Sequence, residues 1–129
     1  MVVFSNQRLG ARAELLVSDD VALEMLRATA AHALPVAAAR WEHELVRWLE
    51  RRAAGDHPSG PGLATLDVSE IAWTPDHFEA QRAFLLAAIE RAAAGSEHGL
   101  AFDRWRRLIE AHPRDSVQVG RRWNWSPTI

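Results

Sequence analysis

Six histidines, 15 arginines and 17 carboxylates are the residues of this 129-residue chain able to do chemistry, and their spacing limits what they can do. A metal site on one helix needs ligands at i and i+3 or i+4, so that they project from the same face. None of the histidines has Asp, Glu or His three or four positions before it. His43-Glu44 opens like a His-Glu-x-x-His zinc motif, but position 47 is Arg, whose permanent positive charge cannot ligate a cation. Asp76 and His77 are neighbours that read as a capping carboxylate and an exposed first-turn imidazole. The remaining route to a metal-dependent or hydrolytic enzyme is a cleft drawn from separate helices, with His32, His43, His77 and nearby acids as its members.

Nucleophilic catalysis finds as little support. Cysteine, lysine and tyrosine are absent, which excludes thiolate nucleophiles, Cys-ligated metals, Schiff bases and the P-loop lysine. Ser59 lies near Asp56 and His57, but a triad converges in space rather than within one turn, and no Gly-x-Ser-x-Gly elbow occurs. The Gly/Pro cluster from Gly55 to Gly62 follows a helix, whereas a phosphate-cradling loop follows a strand and opens a helix. Glu42 and Glu44 diverge by about 200° on a helical wheel and form no acid–base pair. No catalytic, cofactor-binding or metal residue is assigned, no cofactor is implied, and the reading leans against an enzyme.

The densest chemistry is C-terminal. Arg104, Trp105, Arg106 and Arg107 lead to Arg114 and then to Arg121, Arg122, Trp123 and Trp125. Guanidinium forks grip phosphate or carboxylate bidentately, and indole faces stack on bases or cations. Arg104 and Arg107 stand one helical turn apart and can present paired forks. Residues 100–129 have a net charge of +3 against −5 for residues 1–99, although the whole chain is near balance at −2 with a pI of about 6.3. That balance gives no global attraction to nucleic acid or an anionic membrane. One reading makes Arg104, Arg107, Arg114, Arg121, Arg122, Trp123 and Trp125 an anion- or partner-binding surface. The other neutralises these arginines with the acidic surplus of residues 1–99 and folds the tail onto the core. Trp123 and Trp125, if exposed, are interface anchors.

These residues are positioned by helices. Ser18 caps a helix that opens with Asp19-Asp20 and runs to about Leu34, where Pro35 breaks or kinks it and can open a second helix. Ala37, Ala38, Trp41, Leu45, Trp48 and Leu49 share one face of that second helix, with Gly55 as its left-handed cap. Trp73-Thr-Pro-Asp-His-Phe78 reads as a helix start, with Thr74 as cap, Pro75 as first helical residue and Trp73 stapled to Phe78. An apolar stripe then reaches Gly95, and a fourth helix places Ala101, Trp105, Leu108 and Ile109 on one side. The expected fold is mainly α: one compact domain over residues 1–129 with about four principal helices, the first pair broken at Pro35. Short ancillary strands are expected at the N-terminus and at residues 66–73 and 116–120, with a Gly/Pro loop at 55–63 and an Arg/Trp tail at 113–129. No apolar run approaches the roughly 18 residues that span a bilayer. The expected function is a non-catalytic, cytoplasmic helical protein acting through a protein partner or self-association, a homodimer included, without membrane contact. Binding of nucleic acid or another polyanion is the alternative.

Overall fold

The sequence-predicted order of elements is realised in a computed structural model that describes residues 1–10, 14–56, 60 and 62–114. Strands β1 (Val2–Ser5) and β2 (Glu14–Val17) precede helices α1 (Asp19–Ala33) and α2 (Arg40–Ala53). Strand β3 (Thr65–Asp67) then leads to α3 (Phe78–Ala94) and α4 (Gly99–Glu110). The chain is mainly α, and its four helices enclose one core with a small three-stranded sheet. The strand expected at 116–120 and the tail residues Arg121, Arg122, Trp123 and Trp125 lie outside the described residues, as do His57 and Ser59.

Ser18 starts α1 as expected: its Oγ accepts from the Val21 N–H at 3.3 Å, while Asp19 and Asp20 face the positive end of the helix dipole. Pro35 ends the helix but does not open the next one. It sits inside a 3-10 turn, Leu34–Val36, and Ala37 leaves that turn extended. Helix α2 begins only at Arg40, because the Glu42 carboxylate accepts from the Ala38 and Ala39 N–H groups at 3.0 and 2.6 Å. Ala37 and Ala38 therefore fall outside the expected stripe. The face turned inward carries Leu45, Val46, Leu49, Arg52 and Ala53, flanked by half-buried Trp41 and Trp48. Gly55 closes the helix at φ +80°, the left-handed geometry that glycine adopts without strain.

Two further boundaries shift for the same kind of reason, a side chain satisfying backbone that a regular element would otherwise use. The strand expected over 66–73 stops at Asp67, whose carboxylate accepts from the Ser69 N–H at 2.8 Å while Glu70 accepts from the Asp67 N–H at 3.2 Å. This reciprocal box turns the chain into a 3-10 segment, Val68–Glu70. Helix α3 begins at Phe78 rather than Pro75. The Gln81 amide donates to the Ala72 carbonyl and accepts from the Thr74 N–H, both at 3.0 Å, which holds 72–74 outside the helix. The staple itself forms, with the Trp73 and Phe78 rings 5.0 Å apart.

The sheet order is β2-β1-β3, with β1 antiparallel to β2 (Val3 opposite Leu16) and parallel to β3 (Val3 opposite Thr65). Side chains alternate across a pleated strand. Val2, Phe4, Leu15, Val17 and Leu66 are buried in the core, where Phe4 meets Trp105 edge-on at 5.1 Å. Trp105, Leu108 and Ile109 of α4 are buried as predicted, together with Phe102. Among the described residues no helix is long and apolar enough to cross a membrane.

Candidate interaction surface

Val3, Leu16 and Thr65 occupy the face of the sheet opposite the core. Leu16 is 58% exposed on strand β2, which has no further strand on its outer side among the described residues. Glu14 is exposed on the same face, and a shallow hollow of about 360 Å³ lies over Val3, Ser5, Gln7, Glu14 and Thr65. The cause is local: in Glu14-Leu15-Leu16-Val17 two buried positions flank Leu16, so strand geometry turns a leucine out into water.

At the Ser5–Asp67 end of this same face the polar groups are buried and hold one another. The Asp67 carboxylate accepts from the Ser5 hydroxyl at 2.8 Å, the Gln7 N–H at 3.1 Å, and both the N–H and hydroxyl of Ser69. Burial pushes this carboxyl up, but the hydrogen bonds from Ser69, Ser5 and Gln7 outweigh it and hold it below the usual carboxylate range. A carboxylate so engaged stays anionic and ties the end of β1 to β3.

Beside it lies a second buried group, which no spacing in the chain announces. Asn6 Nδ2 donates to the Leu108 carbonyl at 2.8 Å, and Asn6 Oδ1 accepts from the Arg8 N–H at 3.2 Å. That orientation makes His112 Nδ1, 3.1 Å from Asn6 Oδ1, the donor in the bond between them. The imidazole stacks on Trp73 at 5.2 Å and Phe78 at 6.0 Å between ring centroids. Arg82 caps the arrangement, lying 5.1 Å over the Phe78 ring and donating to the carbonyls of Glu110 and His112 at 3.1 Å each. Burial pushes the His112 pKa down to about 4; Arg8 and Arg82 act in the same direction and Asp67 against it. The ring is therefore neutral at physiological pH.

The arginines singled out on α4 present a different picture. Asp103 accepts from Arg106 at 2.8 Å and lies 3.2 Å from Arg107, while Glu110 also pairs with Arg106. The Arg106 hydrogen bond holds the Asp103 carboxyl below its usual range. These ion-pair partners are neighbours on the same helix, one turn away; of the acids in residues 1–99, Glu90 on α3 adds to the field at Arg106. Arg107 is nevertheless 72% exposed at its side chain, and exposed Arg104 has no ion pair among the described residues. Arg114 is exposed as well, just past the end of α4. The structure thus brings Arg104, Arg107 and Arg114 to one helix and its C-terminal turn.

Elsewhere, Arg52 is 3% exposed and donates to the carbonyls of Asp56, Gly62 and Thr65, with Glu70 3.7 Å from its Nε. Burial lowers its pKa while Glu70 and Asp56 raise it, and the guanidinium clamps the Gly/Pro loop between α2 and β3. His32 on α1, His43 on α2 and His77 before α3 are each exposed. His77 packs on Trp41, with 5.7 Å between ring centroids. Among the described residues no group of three or more His, Cys, Asp or Glu could hold a metal ion.

Reasoning from sequence passed over Val3, Leu16, Asn6, Asp67 and His112. Only Leu16 carried a local signal, an apolar residue at the position where alternation calls for a polar one. Comparison with protein-family models, with curated proteins and with solved structures returns no match.

Proposed function

We propose that the protein acts by binding another protein at the open face and outer edge of its sheet, without catalysis of its own. The observation that carries this reading is Leu16, held in water on an edge strand beside Val3 and Glu14. An edge strand presents unpaired N–H and C=O groups that an extended segment can pair with, while outward side chains select its sequence. The segment that fits has an apolar side chain over Leu16 and Val3 and a basic one toward Glu14. The Ser5–Asp67 bond, which ties β1 to β3, and the Asn6 bond, which ties the chain after β1 to α4, support this role by fixing the sheet in place, so little ordering is needed on binding.

The test compares capture of partners by the wild type and by Leu16→Asp, followed by hydrogen exchange on the isolated complex. Loss of the partner in the variant, with protection over residues 2–5 and 14–17 in the wild type, is the expected result. A partner held equally well by the variant overturns the reading.

A second reading, polyanion binding through Arg104, Arg107 and Arg114 with the tail residues Arg121, Arg122, Trp123 and Trp125, is favoured by exposed Arg104, which makes no ion pair among the described residues. Its signature is retention on heparin that falls linearly in log–log form with added salt.

A further inference from the structure

Where the C-terminal half of α1 meets the C-terminal end of α2, a large apolar group stands in water. Leu34 is 49% exposed in the 3-10 turn that follows α1. It lines a hollow of about 420 Å³ floored by buried Ala30 and Ala53, with exposed Ala31, Ala54, Arg27 and Glu50 around the rim. The hollow exists because α1 and α2, packed together, meet here through alanines, whose short side chains leave the space unfilled. Arg27 and Glu50 are both exposed, and neither takes part in an ion pair among the described residues. Opposite charges therefore stand on one rim without neutralising each other.

We propose that this shelf is a self-complementary interface through which two copies of the chain form a twofold dimer. A twofold contact applies the same patch to itself, so it requires a projection, a recess and both signs of charge within one surface. All three are present here. Rotation about an axis through the recess seats Leu34 of one protomer over the alanine floor of the other. It sets Arg27 opposite Glu50 of the partner subunit, and by symmetry the same pair forms twice. A second copy satisfies both charges and covers Leu34 with nothing beyond these residues, whereas an unrelated partner would have to supply both signs in the same arrangement. The shelf shares no residue with the open sheet face or with the α4 arginines, so the dimer stands or falls apart from the protein-binding reading.

Sedimentation equilibrium on the full chain tests it over a concentration series. The wild type should dimerise. Arg27→Glu and Glu50→Arg each create two like-charge contacts per dimer and should weaken association about tenfold or more. The double variant R27E/E50R should recover wild-type association, with circular dichroism confirming an unchanged helix content in all three. A wild type that stays monomeric to roughly 0.5 mM, where even weak pairs associate, overturns the proposal. So does a dimer that is indifferent to both single reversals, or one that the double variant fails to restore.

Discussion

Helix α4 carries the arginine row that dominates the C-terminal sequence, and two residues beyond its end sits His112, which the sequence hardly marks. Arg104 and Arg107 stand in water, and the pairs that Arg106 and Arg107 make reach one turn along their own helix. His112 is 1% exposed, sandwiched against two aromatic rings and bonded to Asn6, 106 positions away. Solvent competes for every bond the arginines make, so each is worth little. The imidazole has no such competitor, and removing its surroundings would leave polar atoms stranded. Structural weight follows burial and connectivity, not the density of charged residues.

The sharpest way to break this comparison is His112→Ala. It removes a ring packed on Trp73 and Phe78 together with the partner of Asn6, and equilibrium unfolding in urea should show a loss of roughly 3–5 kcal/mol. A cost no larger than that of an α4 arginine would invert the ranking.

Titration sharpens the same contrast. Above about pH 6.5 the imidazole is neutral in both folded and unfolded chains and adds no pH dependence. Between that value and the folded pKa of about 4, the unfolded chain binds a proton that the folded chain refuses. Stability should therefore fall with acidification across this window, by up to about 3 kcal/mol, and His112→Leu should remove that slope. Asp67, whose carboxyl lies below its usual range, adds a further loss only below about pH 4, as the unfolded carboxylate protonates first.

The smallest effect belongs to Arg106→Ala. Its two ion pairs are local and solvent-screened, so the urea midpoint should move slightly at low salt and not at all at high salt. A shift that persists in high salt would mean that the α4 row contributes to the core after all.

Much of the helical framework was legible because its signals are local. Ser18 with Asp19-Asp20, Gly55 after α2, the Trp73–Phe78 staple and the Trp105-Leu108-Ile109 stripe each lie within a few residues of the backbone they organise. The misplaced boundaries have a common origin. Just after Pro35, and at Asp67 and Thr74, side chains of Glu42, Asp67, Glu70 and Gln81 satisfy backbone groups that propensity alone would give to a helix or strand. The candidate surface was less legible. Leu16 is suspicious only once its neighbours are known to face inward, and that Val3 and Thr65 share its face depends on which strands pair.

Composition and period, read along the chain, determined that helices would dominate, where their apolar faces would fall, and that thiolate, Schiff-base and P-loop chemistry were closed to this protein. These follow from residue inventory and from a repeat of 3.6 that acts over a few positions. Tertiary structure alone decided that Asn6 meets His112, that Ser5 meets Asp67, and that one sheet face and one helix surface stay uncovered among the described residues. Such contacts join residues 62 and 106 positions apart, and packing selects them by excluding water from whichever groups the fold happens to bring together.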